Sequence, residues 1–478
     1  MGQDSTTIRK SHAIYAKSLV MVKFLLSGLI FLLSLVLIGQ NLDKPFWGEH
    51  DWNGVRYGNI ARNYVRYGLW ETRFGQVENS GIARVEEFEY YTHYPPLLPI
   101  LIALSYKIFG ISEWSTRVVP LLATSGIIVM IFLISTFVWN IRTAILVSLL
   151  ALATPATLYF GKNPVHESVV LFFILLSFWG YLRYRQTKQK LFQALFLIGL
   201  ILAQMTTWVG FFLLPSLTIS LLLRKEVAQL KKLWPYWGLS ILMFFGHFGH
   251  VAILTHSPFG GNLIGSFLQR SGILSNVQPE EFGLLAYADR LRLWFSTLYT
   301  ITLISLSILW LLLHKADVKN DSWPIFSLGL VGLIYVILFP NSVFIHNYLI
   351  FYFLPFICLS GAAGIIYLMR KIQALQNWRL ILPILLLVLV FFERKSYLDA
   401  LNESDSDKLA VEVGQAINDQ TTETDVVLVS PLKFSFSADK FLRFYSDRRL
   451  IYSDKLSLDY DVLVLINQTE GKFEIIEK

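Results

Sequence analysis

Glu49-His50-Asp51 follows directly on an apolar stretch, Leu19 to Gly39, and is trailed by Arg56, Arg62 and several aromatic side chains. Charge so near a bilayer is costly and is seldom kept for packing alone. A carboxylate there can take the proton of an attacking hydroxyl. Carboxylate and imidazole together can also hold a divalent metal such as Mg, Mn or Zn.

Three more polar groups have the same character. One is Tyr90-Tyr91-Thr92-His93-Tyr94-Pro95-Pro96, one is Lys162-Asn163-Pro164-Val165-His166-Glu167, and one is His346-Asn347-Tyr348. Glu167 is a further candidate carboxylate, and His93 and His166 are candidate metal ligands. Each residue also has an ordinary structural use. Asp51 suits the cap of a helix starting near Val55. Glu167 suits the first turn of a helix, where the dipole favours an acid. His93 and His346 suit interfacial positions beside aromatic residues. Glu49 and His50 beside Asp51 tilt that segment towards chemistry.

A phosphate would need cations. Arg56 and Arg62 are six apart and do not share one helix face, whereas Arg56, Asn59 and Asn63 do. Lys162, Arg270 and Arg290 are the other candidates, with His346 as a further contact for donor or acceptor. Arginine offers a two-pronged contact, lysine a point charge. Each could equally snorkel towards lipid headgroups.

The elements that must carry these residues are legible in composition. Of 478 residues, 54% are apolar, 15% aromatic and only 16% charged. A soluble domain carries roughly 25% charge, and this chain repeats long apolar runs, so it reads as a polytopic membrane protein. The net charge of +7 fits basic cytoplasmic loops and not nucleic-acid binding. The single cysteine, Cys358, lies in an apolar run and excludes a disulfide within the chain. The basic start (Arg9, Lys10, Lys17, Lys23) precedes no small-residue cleavage site, which predicts a retained first helix.

Spans are predicted near 19–39, 114–138, 143–161, 168–184, 190–205, 207–223, 235–255, 292–313, 323–340, 348–369 and 378–392. Basic clusters at the start of the chain, at Arg183–Lys190, at Arg224–Lys232 and at Arg370–Arg379 must all face the cytoplasm. That holds only if Pro95 to Phe109, too short for an upright span, lies along the interface. The first outer loop then runs over 41–113 with two surface helices, Val55 to Tyr67 and Pro95 to Phe109. Arg394 and Lys395 run against the rule. The expectation is a mainly α bundle of about eleven spans over 1–395, with outer loops 41–113 and 256–290. A small extracytoplasmic α/β domain follows at 396–478, with a helix at Asp405–Asn418 and strands at Asp425–Val429 and Val462–Ile466. All four polar groups fall on the outer face.

At these residues the chain resembles the GT-C class of polytopic glycosyltransferases, which use lipid-phosphate sugars. The likeness is to the branch of protein O-mannosyltransferases and the lipid A aminoarabinose transferase. It is carried by the acidic loop after the first span, by Tyr57-Gly58-Asn59-Ile60-Ala61-Arg62-Asn63, by His93-Tyr94-Pro95-Pro96-Leu97-Leu98 and by Gly110 to Arg117. It covers about residues 1–185, with His346-Asn347-Tyr348 and Pro355 fitting further on. The resemblance implies surface helices in the first outer loop. It implies a catalytic acid there, carried to Asp51, and a second acidic residue, carried to Glu167. Many members have adjacent Asp-Glu before the tyrosine motif, whereas this chain has Glu49-His50-Asp51 and then Trp52-Asn53-Gly54. The choice between Asp51 and Glu49 stays open, as does a metal. The implied partners are a polyprenyl-phosphate (undecaprenyl- or dolichyl-phosphate) sugar, membrane lipid, and a lipid, glycan or protein acceptor. A transporter or flippase is the alternative, but it would place its polar site near the bilayer midplane.

Overall fold

The computed structural model describes residues 5–257, 261–274, 282–313, 322–371, 378–430, 438–453, 459–467 and 471–478. Parts of the predicted 256–290 loop lie outside the described residues. The chain opens with α1 (Ser5–Ile38), then α2 (Trp52–Glu71), the short strands β1 (Gln76–Val77) and β2 (Tyr90–Tyr91), and α3 (Leu97–Phe109). The bundle continues with α4 (Glu113–Val138), α5 (Ile141–Ala153), α6 (His166–Thr187), α7 (Lys190–Gln204), α8 (Leu213–Leu223), α9 (Val227–Lys231) and α10 (Trp234–Thr255). After α11 (Leu263–Arg270) come α12 (Leu284–Tyr299), α13 (Ile301–Leu313), α14 (Trp323–Leu338), α15 (Pro340–Ile345), α16 (Leu354–Lys371) and α17 (Trp378–Glu403).

Among the described residues, five helices are long and apolar enough to cross a bilayer, or six with one bent pair counted as a span. Others are apolar but shorter, so eleven stands as an approximate count. The protein is a multi-pass membrane protein. Large apolar side chains such as Phe24, Leu29 and Val36 on α1 and Leu242 and Phe245 on α10 face outward, as a lipid solvent permits.

Four predicted spans are irregular, among them the one at 348–369, which opens with a 3-10 turn at Asn347–Phe353 before α16. The one at 143–161 stops at Ala153, because Pro155 forces Thr154 into extended backbone (ψ 141°) before a single π turn at Ala156–Phe160. The one at 207–223 opens with a 3-10 turn at Trp208–Phe212. The one at 292–313 bends by 111° at Thr300, whose φ is +65°. The start of α13 is capped from another helix: Glu393 accepts from the Thr302 N–H at 3.0 Å and from its hydroxyl at 2.6 Å.

The surface helices form as expected. On α2, Tyr57, Ile60, Ala61 and Tyr64 recur at one-face spacing and bury against Leu98, Ile102 and Tyr106 of α3. At about 1.5 Å per residue, α3 spans roughly 20 Å and cannot cross a 30 Å core.

The end domain holds α18 (Lys408–Gln420), β3 (Val426–Ser430), α19 (Ala438–Ser446), β4 (Arg449–Tyr452), β5 (Val462–Asn467) and β6 (Lys472–Glu477). Its sheet order is β4-β3-β5-β6, parallel except for β6. Val427, Val429, Val462 and Val464 form its core with Val413, Ile417 and Leu442. The last bundle helix runs through the expected boundary at 396 to Glu403.

This domain docks on α2, on the same end of the bundle as the first loop. Gly58 permits the approach: a Cβ there would lie 2.7 Å from the Phe444 ring. Asp447 pairs with Arg62 at 3.3 Å and with Arg66 at 2.6 Å. Asp447→Ala strips the charge partner from both arginines. The expected cost is about 2 kcal/mol, below the buried-pair range because the group is partly exposed. It should show as faster amide hydrogen exchange across α19 and the middle of α2, with α4 unchanged.

Candidate active site

The start of α2 decides which polar residues can meet a substrate. Successive residues turn by about 100°, so Trp52, Asn53, Arg56 and Tyr57 share a face and Asp51 leaves it. Asp51 is 5% exposed; its carboxylate accepts from the Gly48 N–H at 2.9 Å and lies 3.4 Å from the Arg117 guanidinium. Arg117 also donates to the carbonyls of Leu42 and Lys44. Asp51 sits at the N-cap position of α2 without a side-chain capping bond, and it is not among the residues lining the neighbouring cavity.

The four shared-face residues line a cavity of about 410 Å³. Tyr91, His93 and Tyr94 close one side, and His166 and Glu167 at the start of α6 another. Gln269 and Arg270 at the end of α11, with Asn341, Ser342, Ile345, His346, Tyr348 and Leu349, complete it. Backbone contacts hold these walls. Trp208 donates to the His93 carbonyl (2.8 Å), Gln76 to the Tyr94 carbonyl (2.6 Å) and Asn341 to the Gln269 carbonyl (2.7 Å).

The cavity is electropositive. Arg56 lies 4.8 Å from the Tyr91 ring centre and pairs with Glu78 at 2.8 Å. Arg270 lies 4.4 Å from the Tyr94 ring centre, and no described carboxylate pairs with it. Lys440 of the end domain lies beside the cavity, 4.7 Å from the ring centre of Trp52 on its wall. Burial first, and then Arg270, Arg56 and Lys440, push His93 down to about 3. Burial, then His50, Arg270 and Lys440, do the same to His346. Both imidazoles are therefore neutral. Burial, followed by Arg56, pushes Lys440 down to about 7. Glu167, 4% exposed, is the one described carboxylate on the cavity wall, and its Oε1 accepts from the Tyr352 hydroxyl at 3.0 Å.

The expected metal ligands fit this setting poorly. His93 and His166 both reach the cavity, but no group of three His, Cys, Asp or Glu among the described residues is placed to hold an ion. The arginines and lysine that add to burial in keeping His93 neutral would also repel a cation. The donor set suits an anion.

Beside it lies a second cavity of about 330 Å³, walled by Trp208, Phe211, Phe212, Phe244, Phe248 and Phe339 among others. The two share His93, Ser266 and Arg270. Arg270 thus stands where an aromatic slot meets a charged chamber.

The other predicted residues lie elsewhere. Glu49 accepts from Asn347 at 2.9 Å and lies 3.3 Å from His50. Burial raises its pKa, but the His50 bond and charge together with the Asn347 bond outweigh this and leave it lowered. Lys162 donates to the Gln40 carbonyl, and burial, then Arg117, bring it down to about 8. Arg62 belongs to the domain interface, and Arg290 lies against the rings of Trp294 and Phe344. Asn59 and Asn63 donate to backbone carbonyls of residues 77–79 and anchor β1. Sequence reasoning missed Arg117 and Lys440. An arginine one turn into an apolar helix was a readable signal for the first; nothing local marks the second.

A family model described as dolichyl-phosphate-mannose-protein mannosyltransferase matches residues 93–250, a third of the chain. No curated protein sequence matches. Among solved structures, ArnT from Cupriavidus metallidurans bound to undecaprenyl phosphate is similar at 14% identity and TM-score 0.66, over 95% of this chain and 94% of that one. Its apo form gives TM-score 0.63 at 14% identity, over 95% of this chain and 94% of that one. The apo oligosaccharyltransferase of Archaeoglobus fulgidus gives TM-score 0.60 at 12% identity, over 90% of this chain and 64% of that one. The chain has the GT-C fold that these glycosyltransferases share, as the resemblance in the first loop implied.

Proposed function

We propose that this chain is a membrane glycosyltransferase that moves a sugar from a polyprenyl-phosphate carrier to an acceptor hydroxyl on the extracytoplasmic face. The carrying observation is the junction at Arg270. A polyprenyl phosphate is an apolar chain ending in an anion, and the aromatic slot opening into a cationic chamber has that same order. The ArnT structure with undecaprenyl phosphate supports the reading through its shared fold.

In the proposed reaction Glu167 accepts the proton of the acceptor hydroxyl. The hydroxyl oxygen bonds to the anomeric carbon as the bond from that carbon to the phosphate oxygen breaks. The phosphate leaves with the electron pair, held by Arg270, Arg56 and Lys440. Attack opposite the leaving group inverts the anomeric centre. The test is purified protein given a radiolabelled polyprenyl-phosphate sugar: label should leave the lipid, whereas a transporter would leave the lipid intact.

Orientation has its own expected result. With a cysteine at exposed Glu86 in the first loop, an impermeant thiol reagent should label intact cells. A cysteine at Lys188 should be labelled only after permeabilisation. The reverse pattern would invert the topology.

Lys440 predicts a pH dependence. Its cation is present below about pH 7 and lost above it. Donor affinity should therefore fall by roughly tenfold as pH rises through 7, the low end for a charge-assisted bond. Stability moves the other way. The unfolded lysine keeps its proton to its model value of 10.5 while the folded one has lost it, so between about 7 and 10.5 stability rises with pH. Lys440→Met should flatten both trends, read by donor titration and by thermal melting.

A further inference from the structure

The strongest unassigned feature lies at the other end of the bundle. α6 carries the chain from His166 in the chamber to Thr187, about 33 Å along its axis. There the turn into α7, together with the start of α10, encloses a cavity of about 700 Å³. Arg185, Lys188, Lys190 and Lys232 line it, and among the described residues no carboxylate does.

The arginine is built in. Its Nη2 donates to Glu226 at 2.6 Å, and its guanidinium lies 5.2 Å from the ring centre of buried Trp323. Its buried Nη1 makes no hydrogen bond of ordinary geometry among the described residues, although the guanidinium does interact with the Tyr181 hydroxyl. A buried, charged donor left without a well-formed hydrogen bond is costly unless a ligand completes it. Lys190 and Lys232 are exposed and form no ion pair among the described residues. The remaining wall is mostly apolar and aromatic, with Leu197, Leu233 and Leu239 on it beside Gln193 and Gln229. Exposed Leu191 and Trp234 flank it on the lipid-facing surface.

We propose that this cavity binds the headgroup of an anionic phospholipid of the leaflet opposite the active site. The phosphate meets Arg185 Nη1 and the lysines, and the first methylenes of the acyl chains lie on the leucine wall. A free anion would use the cations but leave that wall to water. Basic pockets between membrane helices on the cytoplasmic side suit such headgroups, and each lysine or arginine near the surface adds about fivefold in affinity. The site is independent of the sugar-transfer reading.

The full chain in nanodiscs of phosphatidylcholine, with a rising fraction of phosphatidylglycerol of the same acyl chains, provides the test. Retained lipids are counted by native mass spectrometry. The wild type should retain phosphatidylglycerol in preference to phosphatidylcholine. Lys190→Gln with Lys232→Gln should weaken that retention about thirtyfold, with unchanged melting in pure phosphatidylcholine. Lys190→Arg with Lys232→Arg should retain it, which separates charge from folding. Equal retention by wild type and the glutamine variant would overturn the proposal. So would displacement of the lipid by millimolar inorganic phosphate, which would make the site one for a free anion.

Discussion

Glu167→Gln is expected to cut sugar transfer by about 10²–10⁴-fold, the contribution of a positioned general base. The amide keeps the shape and can still accept from Tyr352, whose hydroxyl lies 3.0 Å from Oε1. What it loses is the negative charge that takes the acceptor's proton. Donor binding should therefore stay within about threefold, because the cations that hold the phosphate are untouched. Asp51→Asn makes the contrast. It leaves the buried guanidinium of Arg117 without its anion, so it should lower stability by roughly 3 kcal/mol, the low end for a broken buried pair. Turnover per folded molecule should fall far less than for Glu167→Gln. Thermal melting and turnover on the same preparations separate the two variants. Near-normal turnover in Glu167→Gln, with collapse in folded Asp51→Asn, would return the role of base to Asp51.

Arg270→Ala is expected to lower kcat/KM for the donor by about 10²–10³-fold, the scale for removing one donor to a developing oxyanion. Arg270 meets no carboxylate among the described residues, so its charge is free for a ligand. Arg270→Lys keeps the charge and loses the planar fork, and should recover only part of the activity. The loss should persist at saturating acceptor, since the group that leaves is the donor's phosphate. Wild-type kinetics in Arg270→Ala would reduce the residue to a packing role against Tyr94. Arg62→Ala should change turnover little, because Arg62 belongs to the interface with Asp447.

The membrane architecture could be read from the sequence because a bilayer imposes rules that act locally. Apolar run length, basic flanks and one short run, Pro95 to Phe109, were enough to expect a surface helix, and α3 is that helix. Two of the end domain's four strands, β3 and β5, were legible for the same reason, as unbroken apolar runs bounded by polar residues; β4 and β6 were not, because charged and apolar residues mix in them. Breaks within spans were less so. Pro155 was a visible breaker, but the bend at Thr300 depends on packing that also brings Glu393 to cap α13.

The sequence alone determined the class of fold, the stretch where charge gathers at one membrane face, and the residue types available there. Only the tertiary structure decided which of them share a chamber. A helical side chain turns by about 100° per residue, so a start at Trp52 sends Asn53 and Arg56 inward and turns Asp51 back towards Arg117. No spacing rule reaches from Trp52 to Arg270 or to Lys440. Arg270 and Lys440 come near Trp52 because α11 forms part of the chamber wall and α19 packs on α2, and such distant pairings follow from packing across the whole chain.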